Sequence, residues 1–103
     1  PTSSADLAEV LVRFVASPVT GVVHATNAGA VSWCEFVREI LRQCGDDPAR
    51  VMPITTADLD PPRLAPRPAN SVLQSQVLHD IAWPPLRRYE AALADVLTDL
   101  GVR

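Results

Sequence analysis

Between Asp58 and Ser71 the chain runs Asp58-Leu59-Asp60-Pro61-Pro62-Arg63-Leu64-Ala65-Pro66-Arg67-Pro68-Ala69-Asn70-Ser71, with four of the ten prolines and two of the nine arginines. Proline fixes φ and removes a backbone donor, so this run can be neither a helix interior nor a central strand. It is expected to be a stiff, extended connector that holds Arg63 and Arg67 at nearly fixed places along its path. Two readings of it stay open on the residues alone. One is an anion-recognition loop carrying guanidinium groups between packed elements; the other is a surface crossing with solvated charges.

The segments on either side are periodic. Ser3-Ser4-Ala5-Asp6 has the Ser-x-x-Asp form of a helix start, and Leu7, Val10, Leu11, Phe14 and Val15 follow at helical spacing. Ser17-Pro18 is expected to stop that helix. Gly21 to Thr26 is a short β-branched run bounded by glycine and Asn27-Ala28-Gly29, which predicts a strand with His24 as one of its packed residues. Ser32-Trp33-Cys34-Glu35 forms a capping box, followed by Phe36, Val37, Ile40, Leu41 and Cys44 on one face. Gly45 closes this second helix, and Trp33 in its first turn is suited either to anchor the core or to border a ligand, the core being the favoured reading.

Asp46-Asp47-Pro48 is turn chemistry, and Val51-Met52-Pro53-Ile54 predicts an edge strand. Thr55 to Asp58 is suited to a single helical turn before the proline run. Ser71-Val72-Leu73 is expected to pair briefly as a strand, and Gln74 to Ile81 to form a short helix. The last helix is expected to open at Trp83-Pro84-Pro85, with Leu86, Tyr89, Leu93, Val96, Leu97 and Leu100 as its stripe and Gly101 as its end. In that register Arg87 and Arg88 come early and Asp95 and Asp99 late, against the helix macrodipole; the arginines either serve a contact or lie on a solvated face, the second being the favoured reading.

Three longer helices and two or three short strands give a mixed α/β class. So few short strands cannot cover three helical stripes, so this 103-residue chain is expected to be a satellite lobe of a larger α/β protein. The first residue, Pro1, agrees with a piece of something longer. A net charge of −3 with scattered basic residues argues against a nucleic-acid surface, and no apolar run suits a bilayer span. Cys34 and Cys44 lie ten apart on one helix, about 15 Å along its axis, beyond disulfide reach. Two free thiols point to a reducing, cytoplasmic setting. With only His24 and His79 besides, no ligand spacing suggests a metal. The chain has no lysine and one tyrosine, Tyr89, and lacks any Gly-x-Gly-x-x-Gly turn. A Tyr-Lys catalytic pair, a Schiff base, a P-loop and the usual dinucleotide-binding turn are therefore all excluded.

Several segments resemble one family when taken together and in order. Pro1-Thr2-Ser3-Ser4-Ala5-Asp6-Leu7-Ala8 is similar to its "PT…DLA" helix start, and Gly21 to Gly29 to its glycine-bounded strand and turn. Ser32-Trp33-Cys34-Glu35-Phe36 matches "S-W-x-(E/D)-(F/Y)", Ala65-Pro66-Arg67-Pro68-Ala69-Asn70-Ser71-Val72-Leu73 follows in place, and Pro84-Pro85-Leu86-Arg87 with Ala91-Ala92-Leu93 resembles the closing helix. In this order they look like the C-terminal part of the dTDP-4-dehydrorhamnose reductases, which are extended short-chain dehydrogenases. The chain departs from the pattern at Gln74 and Val77, where the family has Asp or Asn and then Lys, and at Leu86, where it has tryptophan.

The resemblance implies a helix-rich C-terminal substrate-binding lobe, residues 1–103, of a Rossmann-type enzyme. Such an enzyme reduces the 4-keto group of dTDP-4-dehydro-L-rhamnose to dTDP-L-rhamnose with NADPH or NADH. The cofactor and the catalytic Tyr-Lys pair would belong to the missing N-terminal Rossmann half, so that this stretch alone would be inactive. Arg67 falls where related enzymes place an arginine on the nucleotide diphosphate, a role that suits a planar, bidentate donor. Asn70 and Ser71 would border the same pocket, and Arg63 is a second candidate. A related 4-ketosugar reductase or epimerase, or a non-catalytic binding relative, is the alternative; a homodimer stays open, with neither nucleic acid nor membrane as partner.

Overall fold

A computed structural model describes residues 1–17 and 19–103. Four helices organise it: α1 (Ser4–Ala16), α2 (Trp33–Gln43), α3 (Gln76–Asp80) and α4 (Tyr89–Asp99), with 3-10 turns at Pro48–Arg50 and Thr56–Asp58. The local signals that start α1 and α2 are the ones the sequence carries. The Ser3 hydroxyl accepts the Asp6 N–H at 3.1 Å, and the Ser32 hydroxyl accepts the Glu35 N–H at 3.2 Å. The Asp58 carboxylate turns back to accept both the N–H and the hydroxyl of Thr55, at 2.8 and 2.7 Å. Pro18, expected to stop α1, lies outside the described residues; the helix ends at Ala16, with the Ser17 N–H on the Arg13 carbonyl at 2.8 Å.

The expected strands do not form. Among the described residues no strand is present, and β-pairing is limited to one parallel bridge between Ala28 and Arg88. Residues 21–26, 51–54 and 71–73 form no strand, since they find no neighbouring backbone to complete a ladder and strand propensity needs a partner. Val22, Met52 and Val72 are exposed as a consequence. His24 is exposed as well, not packed inside a strand.

The last helix also starts later than expected. Trp83-Pro84-Pro85 precedes it as irregular chain, and α4 begins at Tyr89 with Arg88 as its N-cap. Arg87 and Arg88 therefore stand outside the helix, which removes the basic half of the macrodipole conflict, while Asp95 and Asp99 still lie late in α4. Both arginines are exposed, and both also make contacts. Arg87 donates Nε and Nη2 to the two Asp6 oxygens, both at 2.9 Å, and Nη1 to Asp95, while Arg88 pairs with Glu90.

The core is small: Val10 of α1, Leu78 of α3, and Tyr89, Ala92 and Leu97 of α4 are its buried apolar residues. On α4 the small Ala92 sits on the inward face, where α2 approaches. Gln43 ties the two helices, its amide donating to the Glu90 carbonyl at 3.1 Å and to Glu39 at 2.9 Å. The chain from Pro48 to Val51 closes over α2, held by Arg38 on the Val51 carbonyl at 3.0 Å. Trp83 stacks on Phe14 with ring centroids 4.9 Å apart, and Arg13 lies over the indole, which fixes α1 to the turn before α4.

Candidate functional site

Asn27 stands where three elements meet. It is 4% exposed, and its carbonyl oxygen accepts the Ser3 N–H at 2.8 Å. Its amide donates to the Asp6 carboxylate and, at 3.2 Å, to the Arg87 carbonyl. The next residue completes the bridge: the Ala28 N–H reaches the Arg87 carbonyl and the Tyr89 N–H the Ala28 carbonyl, each at 2.9 Å. The Arg87 guanidinium beside Asp6, aided by the Asn27 amide, holds that carboxyl below its ordinary range, and the two carboxylates on Arg87 push its own pKa up. Gly29 then turns away at φ +102°, and a Cβ there would lie 2.9 Å from the Tyr89 ring. Only glycine allows both that conformation and that approach. A knot of polar bonds thus pins the 26–31 turn against α1 and the start of α4.

That pinned turn is one wall of a cleft of about 530 Å³. Its second wall is the start of α2, with Ser32, Trp33 and Phe36; its third is the chain from Ser71 to Ser75, and Pro85 and Leu86 close the end. Trp33, favoured for the core on periodicity, is instead 78% exposed and faces the cleft. A residue in a helix's first turn has no preceding turn to pack on, so helical periodicity does not decide its burial. Phe36 lies edge-on to Trp33 with centroids 6.1 Å apart, and edge-on to buried Tyr89 at 6.0 Å.

Of the four residues expected to bind substrate, Ser71 alone lines the cleft. Arg63, Arg67 and Asn70 lie on the exposed proline-rich stretch leading into it. The Asn70 carbonyl oxygen accepts the Val72 N–H at 3.0 Å, an Asx turn that sets the direction in which the chain enters the cleft wall. Arg67 is four residues from Ser71, within about 13 Å of it along extended chain. Gln74 and Leu86, two of the three positions that depart from the family pattern, both line the cleft. Periodicity favoured the core for Trp33 over the cleft border it occupies, and missed the 26–31 turn as a site element. The signals for them were the capping box that puts Trp33 at a helix start and Gly29 after a buried asparagine.

A second hollow of about 470 Å³ lies on the other side of the Asp6–Arg87 pair, between Glu9, Arg13 and Trp83. Cys34 and Cys44 are free thiols at the two ends of α2. Among the described residues no group of three or more His, Cys, Asp and Glu side chains is placed to hold a metal ion. Among them, too, no helix is long and apolar enough to cross a membrane.

Residues 1–102 match the family described as RmlD substrate binding domain. The chain is 39% identical over 101 residues to a probable dTDP-4,6-dihydroxy-2-methyloxan-3-one 4-ketoreductase of Streptomyces antibioticus, covering 97% of this chain and 34% of that protein. It is 42% identical over 98 residues to a dTDP-4-dehydrorhamnose reductase of Mycobacterium tuberculosis H37Rv, covering 94% of this chain and 32% of that protein. A dTDP-4-dehydrorhamnose reductase of Streptomyces griseus is 39% identical over 100 residues, with 92% and 32% covered. The chain therefore spans about a third of the length of these curated relatives. No solved structure matches it significantly.

Proposed function

The chain belongs to the RmlD substrate binding domain family, and from that membership we propose that it is the sugar-nucleotide-binding lobe of a dTDP-4-dehydrorhamnose reductase. The observation that carries this reading is the cleft itself. It is an apolar hollow with a few hydroxyl and amide groups, large enough for a small ligand, and it lies where the arginine-bearing stretch meets the pinned turn. In this reading the proline-rich stretch presents Arg67 to the diphosphate at the cleft mouth, with Arg63 as a second cation. Ser71 offers its hydroxyl to the same ligand from the wall, and Asn70 aims the loop through its Asx turn.

The reaction proposed for the whole protein is reduction of the 4-keto group of dTDP-4-dehydro-L-rhamnose. NADPH or NADH supplies the hydride for that chemistry. The residues of this chain do not fit such a cofactor. The N-termini of α1 and α2 are filled by their own serines, the first turn of α4 follows the paired Arg88, and no lysine or glycine-rich turn exists to hold a pyrophosphate. The dinucleotide and the catalytic pair are therefore proposed to belong to a Rossmann half, against which this lobe would seat in a reducing cytoplasmic setting. What this chain contributes is binding and orientation of the sugar nucleotide and exclusion of water from it.

A related dTDP-4-ketosugar reductase is the second reading. It is favoured by Gln74 and Leu86, which replace the family's usual residues on the cleft wall itself, and by the likeness to a relative named for a different 4-ketosugar.

Calorimetric titration of dTDP and dTDP-rhamnose into the wild-type protein and Arg67→Ala tests the clamp. A charge-assisted contact to phosphate is worth about 1.5–3 kcal/mol, so affinity is expected to fall by an order of magnitude or more with the circular dichroism unchanged. Equal affinity for both proteins removes Arg67 from the site. Absence of binding to wild type removes the sugar-nucleotide reading altogether.

A further inference from the structure

No described residue of this chain covers Trp33. An indole is the largest apolar side chain available, and one left 78% exposed gives up most of the burial it would gain in a core. It is nevertheless held in place. Phe36 supports it edge-on with an interplanar angle of 71°, and Phe36 is in turn supported at 64° by Tyr89. Tyr89 is buried and anchored through its N–H to the Ala28 carbonyl. The chain of three rings runs from the core to the cleft and ends in an open aromatic surface. Opposite and beside it are Val31, Leu73 and Leu86, while Ser32, Ser71 and Gln74 supply polar atoms at the edges.

We infer that Trp33 is the stacking platform for the pyrimidine base of the nucleotide, resting on the sugar-nucleotide reading above. A pyrimidine presents two apolar π-faces and a rim of carbonyl and N–H groups, and the cleft offers this pairing of an aromatic face with polar edges. A platform braced by Phe36 and Tyr89 loses little side-chain freedom when a base settles on it, so stacking carries a small ordering cost. Stacking tolerates any base, because each has a π-face, so the platform sets affinity for a nucleotide more than choice among pyrimidines. Since Arg67 lies at most about 13 Å along the chain from Ser71, one extended nucleoside diphosphate can engage both ends of the site.

The test separates the base from the phosphates. Wild type, Trp33→Ala and Trp33→Phe are titrated calorimetrically with dTDP, UDP, dTDP-rhamnose and inorganic pyrophosphate. The expected result is a loss of at least about tenfold in dTDP and UDP affinity for Trp33→Ala. Pyrophosphate binding should stay unchanged in both variants, and Trp33→Phe should keep most of the nucleotide affinity. Fluorescence adds a readout that folding damage would not reproduce. The other tryptophan, Trp83, is packed against Phe14 away from the cleft. In a Trp83→Phe background, dTDP should quench the remaining emission and shield it from acrylamide. Equal dTDP affinity in Trp33→Ala and wild type overturns the stacking role and leaves the sugar-nucleotide reading standing. So does a loss confined to dTDP-rhamnose, which would put the hexose on the indole, and so does unchanged acrylamide access with dTDP bound, which would leave Trp33 to a protein surface. If neither dTDP nor pyrophosphate binds wild type, both readings fall together.

Discussion

Asp6 is the residue whose environment most depends on distant sequence. Its carboxylate takes two bonds from Arg87, one from Asn27 and sits in the first turn of α1. With Ser3 on one side and Arg87 shared with Asp95 on the other, every charged group facing it is accounted for by these contacts. Hydrogen bonding from the guanidinium lowers its pKa on folding, and desolvation, the next largest effect, opposes it without reversing it. A carboxyl with a lowered folded pKa adds stability that is fully present above its unfolded value near 3.9 and is lost as the pH falls through the folded value. Urea midpoints measured from pH 7 to pH 2.5 should therefore fall more steeply for wild type than for Asp6→Asn, the two curves converging below about pH 4. Parallel curves over that range would show that the pair contributes nothing to the acid limb.

The helix ends show how far local chemistry reaches. α2 and α4 each close on a glycine at positive φ, Gly45 at +75° and Gly101 at +68°. In both, the glycine N–H and the following N–H return to carbonyls of the last turn, the Schellman arrangement. α3 closes in the same way, with the Ala82 N–H on His79 at 3.0 Å and the Trp83 N–H on Leu78 at 2.9 Å, but its left-handed residue is alanine at φ +56°. A Cβ in that conformation costs about 1–2 kcal/mol. Ala82→Gly is therefore expected to raise the unfolding free energy by about 1 kcal/mol, less than the full strain because glycine also frees the unfolded chain. Denaturant melts of the two proteins check this, and a less stable Ala82→Gly would mean that the alanine methyl packs usefully. Helix existence was legible from spacing and caps. The start of α4 was not, because Pro85 is as compatible with extended chain as with a helix's first turn, and the Ala28–Arg88 bridge chose the former.

At the scale of the molecule the chain is an open slab measuring 44 × 36 × 18 Å. Its radius of gyration of 16.4 Å exceeds the roughly 13 Å of a compact domain this long. Its 7778 Å² of accessible surface compares with about 5,700 Å² for a compact monomer of its mass. Leu11 and Val15 of α1 stay more than half exposed on the side turned away from Val10. This openness ranks the arginines as protease targets. Arg38, Arg42, Arg50, Arg87 and Arg88 are all ion-paired, and Arg13 lies in α1 over Trp83. Arg67 precedes Pro68, a bond trypsin does not cut, whereas Arg63 precedes the fully exposed Leu64 on the proline-rich stretch. Trypsin should therefore cut first after Arg63, and saturating dTDP should slow that cut if the stretch closes on the diphosphate. Initial cleavage elsewhere would show that the stretch is covered.

The sequence by itself determined where α1 and α2 begin and where α2 and α4 end, because a serine cap, a 3.6-residue stripe and a closing glycine are interactions among neighbours. It also determined that the proline run is neither helix nor strand and that no lysine-dependent chemistry exists here, since both follow from residue types alone. Only the tertiary structure decided which apolar residues are covered. Trp33 and Phe36 share one periodic stripe, yet Tyr89 lies beside Phe36 while Trp33 stays 78% exposed among the described residues. It decided likewise that the β-branched segments stay unpaired and that Arg87 belongs to Asp6, 81 residues away. Pairing, covering and cleft formation are all relations between distant segments, and local pattern carries no term for them.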